Sequence, residues 1–388
     1  MIDARGSAPE VQGPSSGVQS RVVSIDAFRG LVMGLMLAEA MRLWTLQAAY
    51  PGSTLWAIVA FNTTHVPWRG CSLHDLIQPA FSFLVGAALP FSIASRRARG
   101  EPFGRMLAHA VWRSAALVLL GIVLRSLGRR QTYWTFEDTL TQIGLGYTFL
   151  FLLAFARRRV QVAVFVAILA GFWAAFVLYP APAPGLFAHF NKNTNLSWAF
   201  DVWFLNLFPR ESPFRFNSGG WSTLSFIPTL ATMMLGVWAG EWLGSPRTPE
   251  EKCKGLLAAG TGLALAGLAF DWLGICPIVK RVWTSSYTLY SGGLVVLILG
   301  VLHGVIEIKG WKRWAFPLLV IGANSIAVYV MSWTIEEFVR DALVRHLGRA
   351  PFAVLGPPFE PVLRGAAVLL VFWLVLLWMY RRRIFVRL

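Results

Sequence analysis

The 388-residue chain is 56% hydrophobic, only 14% charged, and carries a formal net charge of +16. A water-soluble fold of this length needs far more charge to cover its surface, so a soluble globular domain is excluded. The positive charge does not point to nucleic acid, because the arginines cluster in short segments between apolar blocks of about 20 residues, the length that crosses a hydrocarbon core as a helix. The sequence has no zinc-type cysteine spacing, no Walker loop and no GxGxxG, so neither a metal finger nor a nucleotide hydrolase is supported. The expected fold class is all-α, a polytopic integral membrane protein.

Residues 1–20 are polar and rich in Gly, Pro and Ser, which predicts a disordered tail ahead of a single transmembrane domain, 21–388. The tail lacks the basic-then-apolar layout of a cleaved signal, so the first apolar block is expected to stay in the membrane. Ten spans are expected, near 29–47, 76–95, 108–127, 139–156, 160–180, 222–243, 255–273, 286–306, 314–333 and 362–380. Arg96, Arg97, Arg99 and Arg105 follow the second; Arg157, Arg158 and Arg159 follow the fourth; Arg247, Lys252 and Lys254 follow the sixth. Lys309, Lys312 and Arg313 follow the eighth, and Arg381, Arg382 and Arg383 follow the tenth. All fall on one side if both termini are cytoplasmic, as the positive-inside rule asks. Arg129 and Arg130 are the main exception, and Lys280 and Arg281 also fall outside. The long segments 48–75, 181–221 and 334–361 then face outward, and long connections in a compact protein are usually functional.

A charged side chain inside a span costs about 2.5–3.5 kcal/mol on insertion scales, so each one needs a reason. Glu39, late in the first span, is either an ion pair with Arg42 or a carboxylate facing a polar cavity and suited to proton transfer. The densest polar cluster is THVPWRGCSLHDLIQPAF before the second span, with His65, Trp68, Arg69, His74, Asp75 and Gln78. His74 reads as structural. His65 precedes a Pro-Trp-Arg-Gly turn that can aim its ring inward. Asp75 either caps the helix that follows or orients His65, as acid–base and nucleophilic chemistry requires. In CPIVKRVWTSSYTLYSGG, Lys280 and Arg281 stand beside Trp283, Ser285, Ser286 and Tyr287, a group suited either to an anion such as phosphate or to lipid headgroups. Asn324 and Ser325 in GANSIAVYVMSW read as helix–helix hydrogen-bonding residues. Cys71 and Cys276 both lie in outward segments, where an oxidising exterior would permit a disulfide joining the histidine segment to the basic one, though the sequence does not decide whether they are bridged.

These clusters, in this order, resemble the heparan-α-glucosaminide N-acetyltransferase family of transmembrane acyltransferases. SIDAFRG (Ser24 to Gly30) is similar to that family's start-of-core motif, and HVPWRGCSLHDLIQPAFSFLVG resembles its histidine–tryptophan–glycine motif with the aspartate that follows. KRVWTSSY, GANSIAVYV and the closing span with its RRRIF tail are also similar, so the resemblance runs from about residue 21 to the end. It implies acetyl transfer from cytoplasmic acetyl-CoA to an amino sugar across the membrane, no metal, and a homodimer. His65 matches the family's essential histidine. Glu39 stands where the lysosomal enzyme has an asparagine, and that enzyme's additional leading span and luminal segment are not expected here. Ten spans with both ends inside suit a bacterial inner-membrane member, for which a cell-envelope or imported sugar is the expected acceptor rather than heparan sulfate.

The expected roles follow. His65 is nucleophile or general base, Asp75 orients it, and Glu39 accepts or relays a proton. Lys280, Arg281 and Trp283 bind negative charge on CoA or the acceptor, and Asn324 polarises the thioester carbonyl. Trp68, Arg69 and Ser286 contact the acceptor. A transporter or flippase for an envelope glycolipid is the alternative, but it calls for inverted repeats with Gly/Pro-broken helices, and the sequence shows none.

Overall fold

The computed structural model describes residues 22–386, so the expected disordered segment 1–20 lies outside the described residues. Helices α1 (Val23–Leu37), α2 (Thr45–Ala49) and α3 (Thr54–Thr63) come first. They are followed by α4 (Ile77–Ala98), α5 (Phe103–Ser126), α6 (Thr139–Ala154), α7 (Arg158–Leu178) and α8 (Leu196–Phe204). Then come α9 (Phe226–Leu243), α10 (Pro249–Trp272), α11 (Ser285–His303), α12 (Phe316–Gly322) and α13 (Ser325–Thr334). The last are α14 (Glu336–Leu347) and α15 (Glu360–Arg381). No strand occurs among the described residues; the one β-bridge joins Arg69 to Val279.

Among the described residues seven helices are long and apolar enough to cross a membrane, and α12 with α13 makes an eighth if that bent pair is one span. The chain is therefore a multi-pass integral membrane protein. Each expected span overlaps a helix, but α1 and α6, at 15 and 16 residues, are shorter than a straight crossing needs. The first span also ends ten residues early. The Ala40 carbonyl accepts from Arg340 Nη2 at 3.1 Å, and Gly365 of α15 packs against the same peptide. The chain there tightens into a 3-10 turn and Arg42 turns left-handed at φ 51°, which closes the helix. The ninth span is not one helix either. It bends by 65° between α12 and α13, where the Asn324 amide gives its N–H to Ile384 O and takes one from Val386 N, both at 3.0 Å. A side chain serving another segment at that point accounts for the kink.

The helix starts follow local chemistry. Asp138 accepts from the backbone of Leu140 and Thr141 at the start of α6, and Thr248 and Glu251 form a reciprocal cap with Pro249 in the first turn of α10. Glycines then let helices close. A Cβ on Gly86 of α4 lies 1.9 Å from Met233 O, and one on Gly236 of α9 lies 2.0 Å from Phe83 O, so these two backbones touch. Small residues permitting close approach are how helices associate where lipid supplies no hydrophobic drive. The segments expected as long outward loops carry helices of their own: α3, α8 and α14.

Candidate active site

The local fold of the histidine segment starts from Ser72 and Asp75. Ser72 N–H donates to Asp75 Oδ2 at 3.1 Å, while Asp75 N–H returns to the Ser72 hydroxyl at 3.3 Å, a reciprocal cap on the turn that opens into α4. Oδ2 also accepts from Val66 N–H at 3.2 Å, with the Ser72 hydroxyl at 3.0 Å. The other oxygen, Oδ1, is 2.8 Å from His65 Nδ1 and 3.3 Å from Lys280 Nζ. Of the alternatives posed by the sequence, one oxygen meets His65, while the other ties the preceding Val66 and Ser72 backbone rather than the first N–H groups of α4. Asp75 is 1% exposed, and donors surround it.

Lys280 is 3% exposed and sits 3.3 Å from His65 Nδ1 as well. Burial lowers its ammonium below the ordinary lysine value, with Asp75 opposing. Arg281 clamps the neighbourhood, donating to Gly219 O at 2.9 Å and to Val66 O at 3.3 Å. Both cations face the Trp221 ring, at 5.3 and 4.9 Å, and Trp221 meets the His65 ring edge-on at 5.6 Å. The turn that presents them is strained: Trp283 adopts φ 54°, held by burial and by its indole N–H donating to Thr232 Oγ1 at 3.1 Å.

Burial pulls the His65 imidazole below its ordinary value; the Asp75 bond opposes this, and Lys280 and Arg281 add to the lowering. The ring is thus favoured neutral, and with Nδ1–H given to Asp75 the lone pair sits on Nε2. Its side chain is 37% exposed, into a cavity of about 680 Å³ that also contains Glu39, His74, Gln78, Glu137, Glu336 and Trp221 in its wall. Glu39 faces this cavity and is not paired with Arg42, which reaches Glu337 at 3.4 Å.

A second cavity, of about 840 Å³, opens toward the other end of the same helices, with Arg29, Arg113, Arg381, Arg383 and Ser325 in its wall. Helices α1, α4, α5, α6 and α13 line both cavities. The two approach each other within one turn of α4, from Gln78 to Phe81, and one turn of α13, from Ile326 to Tyr329.

No family model matches the chain. The heparan-alpha-glucosaminide N-acetyltransferase of Homo sapiens is 24% identical over 380 residues, 83% of this chain and 54% of that one. The mouse protein of the same name is 23% identical over 384 residues, 85% of this chain and 55% of that one. This chain is a distant relative of the heparan-alpha-glucosaminide N-acetyltransferases. It spans about half the length of these curated relatives. A stretch of 89 residues is also 32% identical to the lipoprotein signal peptidase of Burkholderia vietnamiensis, but covers only 22% of this chain and carries no argument.

Against the pattern expected of such a relative, the structure brings His65, Glu39 and Lys280 to the wall of one cavity, with Asp75 buried behind His65 and Arg281 beside Trp221, and sends the remaining expected site residues elsewhere. Arg69 forms a bidentate pair with Asp271 at 3.0 and 2.8 Å, and the Trp68 indole donates to Phe190 O at 3.2 Å. Ser286 donates to Cys276 O at 2.7 Å and is fully buried, and Trp283 packs edge-on against Tyr287. These four are engaged in contacts within the protein. Lys280 and Arg281 do not stand open as an anion site, since Asp75 and backbone carbonyls engage them. Asn324 is at the break between α12 and α13, on the side of the second cavity, with both amide atoms bound to the C-terminal segment. The disulfide that the sequence left open is not formed: Cys71, Cys253 and Cys276 are free. Burial, with Asp75 nearby, pushes the Cys71 thiol up to about 12, so it stays protonated and unreactive. The Arg69–Val279 bridge and Gly70 N–H to Ile278 O at 2.9 Å join the two segments instead.

Sequence reasoning missed Trp221 and Glu336 and took His74 as structural, though its ring lies 4.5 Å from that of His65. Trp221 carried no local signal. The spacing of His74 and Asp75 from the helix start was the available clue that both belong to one turn.

Proposed function

We propose that this chain is a transmembrane acyltransferase, moving an acetyl or other acyl group from acyl-CoA on the cytoplasmic side to an amino or hydroxyl group of a sugar on the outer side. The observation that carries this reading is the stacking of two cavities along α1, α4, α5, α6 and α13, with the His65–Asp75–Lys280 group at the wall of one and arginines around the other. Nucleotide phosphates of CoA match the Arg29, Arg113, Arg381 and Arg383 end, since guanidinium groups bind phosphate oxygens in charge-assisted pairs. A thioester arm laid from there toward Gln78 and Tyr329 points its carbonyl at His65. The acceptor enters from the His65 cavity. No metal is needed: the neutral Nε2 lone pair supplies either direct attack on the thioester or deprotonation of the acceptor, and Asp75 stabilises the positive charge that develops on the ring in both cases.

This reading sets both termini inside and all ten helical segments across or partly across a bacterial cytoplasmic membrane, with the short arginine-rich connections facing the cytoplasm. The test is acetyl transfer from radiolabelled acetyl-CoA to glucosamine by purified protein. His65→Ala is expected to lose turnover by about 10³-fold or more while remaining folded, because the ring is partly open to the cavity. Near-normal turnover in that variant overturns the assignment.

A further inference from the structure

We propose that His74 and Glu39 form a second proton-handling pair in the His65 cavity, in which His74 takes the proton of the acceptor and Glu39 passes it to the cavity mouth. This rests on the acyl-transfer reading and adds a step to it. The two imidazoles lie with centroids 4.5 Å apart and planes inclined by 52°. Each has its own carboxylate: Asp75 Oδ1 at 2.8 Å from His65 Nδ1, and Glu39 Oε2 at 3.9 Å from His74 Nε2. The carboxylates differ in a way that divides the labour. Asp75 is 1% exposed and enclosed by donors, so it can fix a tautomer but cannot exchange protons with water. The Glu39 side chain is 58% exposed, and the cation three residues along, Arg42, is turned to Glu337. Lys280, Arg125, Glu137, Asp138 and Glu336 are the other charged groups in the wall of this cavity.

The chemistry supplies the need. When the acyl carbon bonds to Nε2 of His65, the thioester C–S bond breaks and the thiolate takes a proton from water on its own side. The lone pair of His65 is then occupied, so it cannot serve as base for the acceptor. The acceptor nitrogen (or oxygen) next bonds to the acyl carbon, the C–Nε2 bond breaks, and its electron pair returns to His65. The proton leaving the acceptor goes to His74 Nε2, then to Glu39, and from there to outer water.

The experiment uses the full-length protein with acetyl-CoA and two probe acceptors, glucosamine and hydroxylamine. Hydroxylamine attacks acyl groups with little help from a base, so it reports acyl delivery without proton removal. His74→Gln and Glu39→Gln are each expected to lower the ratio of glucosamine to hydroxylamine acetylation by about 10²-fold, the usual contribution of a general base. Glu39→Asp is expected to recover part of that ratio. An unchanged ratio in Glu39→Gln, whose site is open and whose folding is not at stake, overturns the proposal, as does an equal loss with both probes. Wild-type protein that acetylates neither probe overturns the acyl-transfer reading itself.

Discussion

Replacing Asp75 by Asn tests the centre of the site, because one carboxylate holds a histidine, a buried ammonium and a helix start together. The Asn carbonyl oxygen can keep the Val66 and Ser72 N–H bonds that Oδ2 accepts at 3.2 and 3.1 Å. The amide nitrogen then falls where Oδ1 was, 2.8 Å from His65 Nδ1. A donor there favours the tautomer with the proton on Nε2, which removes the lone pair from the side facing the cavity. Loss of a correctly held tautomer costs on the order of 10⁴ in kcat in a serine-protease triad, and a loss of about 10²–10⁴ is expected here. Lys280, 3% exposed, also loses its counter-ion. Breaking a buried pair from one side costs about 3–5 kcal/mol. Adding Lys280→Met to Asp75→Asn removes the orphaned charge and is expected to restore much of the thermal stability without restoring turnover. Thermal unfolding followed by tryptophan fluorescence and acetyl transfer to glucosamine give the two readouts. Turnover within about threefold of wild type in Asp75→Asn, on a scale where a tautomer effect is worth orders of magnitude, refutes the role given to this carboxylate.

Three further expectations follow from charge and burial. The proposed mechanism needs a neutral His65, so kcat/KM is expected to rise with pH through the pKa of that ring, and burial with the nearby cations sets this limb below the ordinary histidine value. Lys280→Met removes a cation that lowers the ring, so the limb shifts to higher pH; a shift to lower pH contradicts the electrostatics. Asp201, whose carboxylate accepts from Thr223 N–H at 3.0 and 3.3 Å, is pushed up to about 7 mainly by burial, with Glu137 adding to it. Its folded form holds a proton that the unfolded form releases, so stability falls as pH rises from about 4 to 7. Asp201→Asn is expected to flatten that dependence in thermal melts at pH 5 and pH 8, with the variant the more stable of the two at the higher pH. Reversing Arg381 and Arg383 to Glu is expected to raise KM for acetyl-CoA by about tenfold or more with kcat little changed, which a steady-state titration reads directly.

The apolar blocks determined the helical segments because a membrane leaves an unpaired backbone no other option, and that is why each expected span overlaps a helix, although the first ends early and the ninth is bent. His65 and Asp75 were legible as partners for a similar reason: ten residues of sequence, with a turn and a cap between them, nearly settle where each can point. Composition says nothing about which distant segment meets that pair. Lys280 arrives from 215 residues away and Trp221 from the far side of α8, and both were decided by how α9 and α11 pack against α4. The same packing diverted residues whose types suggested a ligand. Arg69 found Asp271, Asn324 found the C-terminal backbone, and Trp283 was buried, because a polar group inside a bundle takes whichever partner the fold brings within reach. Local sequence thus determines which segments are helical and which turn presents the imidazole. Only tertiary structure decides which charges remain open to a ligand, since that depends on pairings that long-range packing completes or denies.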